Sequence, residues 1–532
     1  MLIVILGIGL DVSGDFSIND DWGYSTPVRW LAQSGATELT FWQSMPLFTQ
    51  IAAGAAWSAA FGFDQETLRY LTLSLAGVSV LSIYALARMA GVQLGLAMIV
   101  ALLPLASPIF MTLSLTFMTD VPGIAWLLMA TCAFAASFRL TARSAQIAFA
   151  VGAVLCLTAV LLRQTNLGLP VALVMADLFY SKGRIWPAMR SFVVLGASVA
   201  VIALVHSLLT LYDAVPATYD DKTGAISAVL SDLASLNAGV IKQPIKSALH
   251  FAAYAGLFLL PFVPVLWRHW PQSNGRRLSL AIALSTAVLV LAAGSLGALA
   301  LNGMVGNVWS SNGAGPHLIE GQYGTGAVLP LVVTALSFAI ILSALVVVWL
   351  RRKTNADGVQ SRPCRSVIVL VGFTGAICYA PHAVAYAALF DRYTLTPALF
   401  LAIALAALLP KIETSGTMLL SGAIAAGGIL FSAVLVQDHF AWQRARYGLI
   451  DQLVATQRID PDMIDGGFEH NNLGRVLSDF TTADQGILVD ASGRLFYLAT
   501  KSSPDAETLL QVSVPQLWGW SSLEIFALHR GM

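Results

Sequence analysis

Residues 68–114 read LRYLTLSLAGVSVLSIYALARMAGVQLGLAMIVALLPLASPIFMTLS. Past Arg69 the sole charge in this stretch is Arg88. It separates two apolar runs, each near the roughly 20 residues that a helix needs to cross a ~30 Å hydrocarbon layer. A lone cation between two such runs is the mark of a short loop joining a membrane hairpin. Outward from this hairpin, apolar windows place spans near 68–87, 92–114, 121–138, 145–162, 166–180, 192–211, 249–267, 278–300, 327–350, 367–388, 393–410 and 417–436. Leu2–Leu10 would be only ~15 Å long as a helix. It lacks the basic n-region and A-x-A site of a signal peptide and reads as the outer half of a first span. The fold class expected is a polytopic α-helical membrane protein with about thirteen transmembrane helices.

Composition agrees with the windows. Of 532 residues, 57% are apolar and 11% charged, against about 25% charged in an average soluble domain, which excludes an ordinary soluble enzyme. Twenty-nine Lys and Arg balance twenty-nine Asp and Glu, and the longest basic run is Arg351-Arg352-Lys353, so no nucleic-acid partner is expected. Cys132, Cys156, Cys364 and Cys378 have neither zinc-site nor disulfide-framework spacing.

Loops on one side carry fifteen cations, Arg88, Arg139 and Arg351–Arg365 among them, beside only Asp357 and Glu413. The opposite loops carry seven cations and fourteen acids, which puts the acidic side outside. That assignment requires Pro46–Gly62 to lie in the interface or re-enter the membrane rather than span it. The first outer loop, 11–67, would then hold interfacial helices. From 437 to 532 the chain turns polar and reads as a small outer-face α/β domain. It begins with a helix, and strands are expected in ILVDASGRLFYLA and SSLEIFALHR.

The inward loops are too short for a nucleotide-binding domain, and neither GxxxxGK[ST] nor a strand-borne GxGxxG is present. Asp460-Pro-Asp462 reads as a turn. The densest functional signal is FSINDDWGYSTPVRWLAQSG, residues 16–35. Asp20 and Asp21 follow the first helix and precede Trp22, Tyr24 and Trp30, residues suited to a membrane interface. A carboxylate there can act as a general base or bind a divalent cation such as Mg or Mn. Asp120 opens a span on the same face, as an N-cap or as a second acid. Arg163 and Arg392 stand at outer span ends, where an arginine can snorkel, pair with a neighbour such as Asp391, or hold a lipid-linked phosphate. His317 and Glu320 lie in a loop with seven glycines between Leu301 and Ala327, which suits a flexible connector or a loop closing over substrate. His382, near another outer end, reads as a hydrogen-bonding residue between helices.

Four segments together resemble the GT-C-type integral membrane glycosyltransferases, in particular the family 39-like bacterial relatives of protein O-mannosyltransferases and of the lipid A aminoarabinose transferase. They are NDDWGY, against that family's Asp-Glu-x-x-Tyr/Phe pattern, the MPLFTQI…FGF…R helix, FMTDVPG and RYTLTPAL. The resemblance implies that 1–436 form the catalytic membrane domain. In it Asp20 would be the base or metal ligand, Asp21 would stand where Glu is usual, Asp120 would be the second acid, and Arg163 and Arg392 would be donor-phosphate ligands. Tyr24, His317 and Glu320 become candidates in the substrate loops. IDGGFEHN, residues 464–471, looks like an element of members with small outer domains and receives no chemistry. The implied reaction moves a sugar from a polyprenyl-phosphate carrier to a lipid, glycan or protein acceptor on the periplasmic face of a bacterial inner membrane, with inversion. The alternative is a lipid-linked-sugar flippase or secondary transporter, which would favour an internal repeat and ionisable groups near the midplane.

Overall fold

A computed structural model describes residues 9–182, 185–219, 239–270, 331–354, 362–384, 389–409, 415–478, 496–517 and 522–530, with residues 231, 235, 304–305, 308–310, 313–314 and 319. Seven helices in it are long and apolar enough to cross a membrane: Gln65–Met89, Asp120–Ser137, Ala142–Leu162, Ala188–Leu211, Cys364–Ala383, Asp391–Leu408 and Ser415–Gln457. An eighth span arises if Ser247–Phe258 and Leu260–His269, bent by 59°, are one crossing. Leu81, Val154, Val193 and Leu430 point outward from these helices, an arrangement stable in lipid and unfavourable in water. Inside, small residues let helices approach closely. A Cβ on Gly152 would sit 2.7 Å from the Phe134 ring, and one on Gly375 would sit 2.7 Å from the Phe400 Cβ.

The thirteen expected spans are not all found as single long helices among the described residues. The window 92–114 is two short helices, Leu94–Leu102 and Pro108–Leu113, because Pro104 and Pro108 each lack an N–H and clash with the preceding turn. The window 166–180 is a 3-10 turn, Gln164–Leu167, followed by a helix of only 13 residues, Gly168–Tyr180. Pro261 lies in the break of the bent pair. The windows 2–10 and 278–300 lie wholly or mostly outside the described residues. Phe48–Phe61 is a helix of 14 residues, about 21 Å by its rise and too short to span, with Phe48 and Phe61 exposed.

The helix Ser415–Gln457 runs 43 residues without a break, about 65 Å and twice a bilayer core. Its distal part buries Trp442, Leu449, Ile450 and Leu453 against a four-stranded sheet. The strand order is Ile464–Asp465, Phe496–Ala499, Ser522–Arg530, Ala506–Pro515, with the first pair parallel and the others antiparallel. Ser522–Arg530 fulfils the strand expected in SSLEIFALHR. Of ILVDASGRLFYLA only Phe496–Ala499 falls among the described residues, and Ala506–Pro515 is a strand that was not anticipated. Asp460 accepts the Asp462 N–H at 3.0 Å, the expected turn.

Candidate active site

The first-loop segment 11–20 has no repeating structure, so its backbone polar groups need partners from elsewhere. Arg69, fully buried, donates to the carbonyls of Val12 at 2.9 Å and Gly14 at 2.7 Å, and also to that of Phe16. Asp15 accepts the Gln65 N–H at 2.8 Å, and Glu66 accepts the Gly14 N–H at 3.0 Å. The loop is thereby tied to the N-terminal end of Gln65–Met89. It turns at Asn19, whose φ is +57°, and enters the helix Asp21–Ser34.

That turn separates the two adjacent aspartates. Asp20 Oδ2 accepts from Arg392 Nη2 at 3.1 Å, with both side chains about nine-tenths buried. Asp21 turns back into the loop, and its Oδ1 accepts the Ile18 N–H at 2.7 Å. Burial pushes the Asp21 carboxyl up to about 7, against the opposing pull of the Arg69 charge and the Ile18 amide. Asp21 lies in the wall behind the site and does not line the cavity.

Asp120 Oδ1 receives Arg163 Nη1 at 2.6 Å. Arg163 follows the last residue of Ala142–Leu162, and Gly123 gives its stem room, since a Cβ there would lie 2.8 Å from Arg163 Cδ. Burial disfavours the Arg163 charge, but the neighbouring Asp120 outweighs it and the guanidinium stays firmly protonated. Beside the two ion pairs lies a cleft, open to its surroundings, with about 510 Å³ of free space, walled by Tyr24, Asp120, Arg163, His382, Arg392 and Tyr393. An adjoining space of about 350 Å³ shares Asp120, Arg163 and Arg392 and reaches Asn166 and Cys378. Burial, then the nearby Asp20 charge, raises the Tyr24 phenol, so it remains a neutral hydroxyl.

Five residues far apart in sequence thus converge: Asp20, Tyr24, Asp120, Arg163 and Arg392. Arg392 pairs with Asp20 rather than its neighbour, because Asp391 is occupied with amides. Asp391 accepts the N–H groups of Val308 at 3.0 Å, Trp309 at 2.7 Å and Arg392 at 2.8 Å. Arg392 Nη1 is buried and has no hydrogen-bond partner among the described residues, while the guanidinium lies 4.9 Å from the Phe390 ring centroid. His382 belongs to the site in a way sequence reasoning missed, stacked on Tyr393 at 4.0 Å. Its position near an outer span end was the one available signal. His317 and Glu320 lie outside the described residues. Among the described residues no three His, Cys, Asp or Glu side chains gather as a metal site would.

No known protein family matches this chain, and no curated protein does. Among solved structures it is similar to the archaeal oligosaccharyltransferase AglB from Archaeoglobus fulgidus in complex with an inhibitory peptide and a dolichol-phosphate. The identity is 12%, the TM-score 0.47, and the likeness covers 91% of this chain and 60% of that one, so this chain spans less than two thirds of its length.

Proposed function

We propose that this chain is a GT-C-type membrane glycosyltransferase that moves a sugar from a polyprenyl-phosphate carrier to an acceptor on the outer face. The observation that carries the reading is the cavity lined by Asp120, Arg163 and Arg392, with Asp20 paired to Arg392 beside it, set where apolar helices end. A lipid phosphate needs cations at the interface and an apolar groove for its tail. Arg392 keeps one buried donor, Nη1, without a partner among the described residues, which suits an incoming anion. A phosphate taken up by Arg392 and Arg163 would compete with the carboxylates for the same guanidinium groups, and Asp20 would be freed as the donor arrives. Its carboxylate then accepts the proton of the acceptor hydroxyl as that oxygen attacks the anomeric carbon. The bond from that carbon to the phosphate oxygen breaks, and its electron pair leaves with the polyprenyl phosphate, stabilised by the two arginines. A single displacement inverts the anomeric centre. Tyr24, a neutral hydroxyl at the rim, is placed to bond the sugar or the phosphate. The residues present do not fit a divalent cation, because one at Asp20 would have to displace Arg392 and no third ligand stands by among the described residues. No step is routed through a metal.

The test is purified protein in nanodiscs with a panel of radiolabelled polyprenyl-phosphate sugars and extracted envelope acceptors. Asp20→Asn should lower transfer by roughly 10²–10⁴ while leaving folding and donor binding largely intact, and Asp120→Asn should be severe too. Near-normal turnover by Asp20→Asn removes Asp20 as base, and turnover with a nucleotide sugar but no lipid carrier overturns the donor class.

A further inference from the structure

The segment IDGGFEHN, to which the reaction gives no part, lies against the first loop. Gly467 has φ +96°, and a Cβ on Gly466 would meet Ile450 Cδ1 at 2.7 Å, so both glycines are needed for the turn. Asp465 and Asn471 staple it: Asp465 Oδ1 accepts from Gly467 N at 3.1 Å and Asn471 Nδ2 at 2.7 Å, and Asn471 Oδ1 accepts the Gly466 N–H at 3.2 Å. The turn delivers Phe468 onto Trp22 and Trp42, at ring-centroid distances of 6.2 and 5.7 Å. It also delivers Glu469 to Asn19. Glu469 Oε1 accepts the Asn19 N–H at 3.0 Å, and Oε2 receives Arg446 Nη1 at 2.8 Å, with the ion pair fully buried. Arg446 Nε is anchored in turn on the Gly466 carbonyl at 2.7 Å.

Asn19 is the left-handed residue whose turn aims Asp20 at Arg392. Asparagine enters the left-handed region more readily than other residues with a Cβ, and it is the surrounding contacts that select that conformation over an ordinary turn. We propose that Glu469 is a positioning residue for Asp20: its carboxylate locks the Asn19 amide and makes the tail a working part of the site. A carboxylate suits the place because it offers one oxygen to the Asn19 N–H and the other to Arg446 Nη1, which also donates to Gln443 Oε1 at 3.1 Å. A glutamine beside Arg446 offers only one. The proposal rests on the reading above in one respect, that Asp20 is the reacting group.

Two double variants of the full chain separate positioning from mere stability. Glu469→Leu with Arg446→Met replaces a buried ion pair by apolar side chains, a change that folds tolerate, and deletes the acceptor for Asn19. Glu469→Gln with Arg446→Met also removes the charges but leaves one carbonyl free for the Asn19 N–H. Hydrogen exchange of the peptide 14–24 should speed up on the order of tenfold in the leucine pair and stay near wild type in the glutamine pair. Sugar transfer should fall on the order of 10²-fold in the leucine pair only. Added to Asp20→Asn, the leucine pair should cost nothing further. Equal exchange in the two pairs, equal loss of transfer in both, or a loosened loop with full transfer overturns the proposal. Should the wild type transfer sugar from no polyprenyl-phosphate donor, the function fails on its own. The exchange contrast between the two pairs then still decides whether Glu469 holds Asn19.

Discussion

Asp20 and Asp21 share a peptide bond and do different work, because one residue of advance into a helix turns a side chain by about 100°. Asp20 pairs with Arg392, a residue of the cavity wall, whereas Asp21 turns to the Ile18 amide of the loop. The Asp21 carboxyl sits at about 7 in the fold against 3.8 in an open chain, burial being the main cause. A group whose folded value is raised gives stability that is fully present below the unfolded value and is lost as pH rises through the folded one. Thermal stability in detergent should therefore fall between about pH 4 and 8, by a few kcal/mol in the limit. Asp21→Asn should flatten that slope, and an unchanged slope would mean that Asp21 is ionised throughout. Arg392→Ala should weaken donor binding by on the order of 2–5 kcal/mol in nanodisc titrations. Lys should restore it only in part, because an ammonium cannot give a phosphate the two parallel N–H bonds of a guanidinium; unchanged affinity would remove Arg392 from the site. Asp20, Asp120, Arg163 and Arg392 are legible as candidates in sequence because charges at the ends of apolar runs are scarce. Their pairing is not, since Arg392 finds its partner 372 residues away and Glu469 reaches Asn19 across 450. No local pattern encodes such distances.

Apolar windows locate helix ends well and helix breaks poorly, because hydropathy does not register a missing N–H. The window 92–114 is apolar throughout yet is cut at its prolines, and the break buries Ser107 and Thr112 beside the helix that carries Asp120. Helix-to-helix distance is equally silent in a hydropathy profile, and there glycine decides. Gly168 opens the short helix after the Gln164–Leu167 turn and sits so close to Arg362–Val384 that a Cβ would lie 2.6 Å from Cys378 N. Cys378 is one turn before His382, so a wedge at this contact moves a wall of the cavity. Gly168→Ala should destabilise by about 1–3 kcal/mol through overpacking and lower transfer as well. Gly372 is in the same partner helix with nothing within 4 Å of its would-be Cβ. Gly372→Ala should be neutral or stabilising by up to about 1 kcal/mol. Thermal unfolding of both in detergent tests the contrast, and equal behaviour would mean that the close contact at Cys378 does not constrain the helices.

The molecule divides its charges between two ends. Arg139 donates to the Met89 carbonyl at 2.7 Å and to Cys364 Sγ at 3.2 Å, which ties three helix ends together beside Arg88. At the opposite ends of those helices lie Gln65, Asp120 and His382, all near the first loop and the cavity. The long helix Ser415–Gln457 leaves the bundle on this second side and carries Arg444 to Asp11 of the first loop. The cavity and the tail from Gln437 therefore share one face, and the helix ends at Arg88, Arg139 and Cys364 share the other. Loop charge gives the expected orientation: by sequence, fifteen loop cations against two acids are assigned to the side of Arg88 and Arg351–Arg365, and insertion retains cation-rich short loops in the cytoplasm. With the native cysteines replaced, single cysteines at Ser13 and Asp451 should both react with an impermeant maleimide in intact spheroplasts. One at Ala142 should react only after lysis. Labelling of Ser13 and Asp451 from opposite sides would contradict the loop–tail contact through Glu469 and Arg446. Labelling of Ala142 alone in intact cells would invert the molecule and place the proposed transfer, with its acceptor, on the cytoplasmic face.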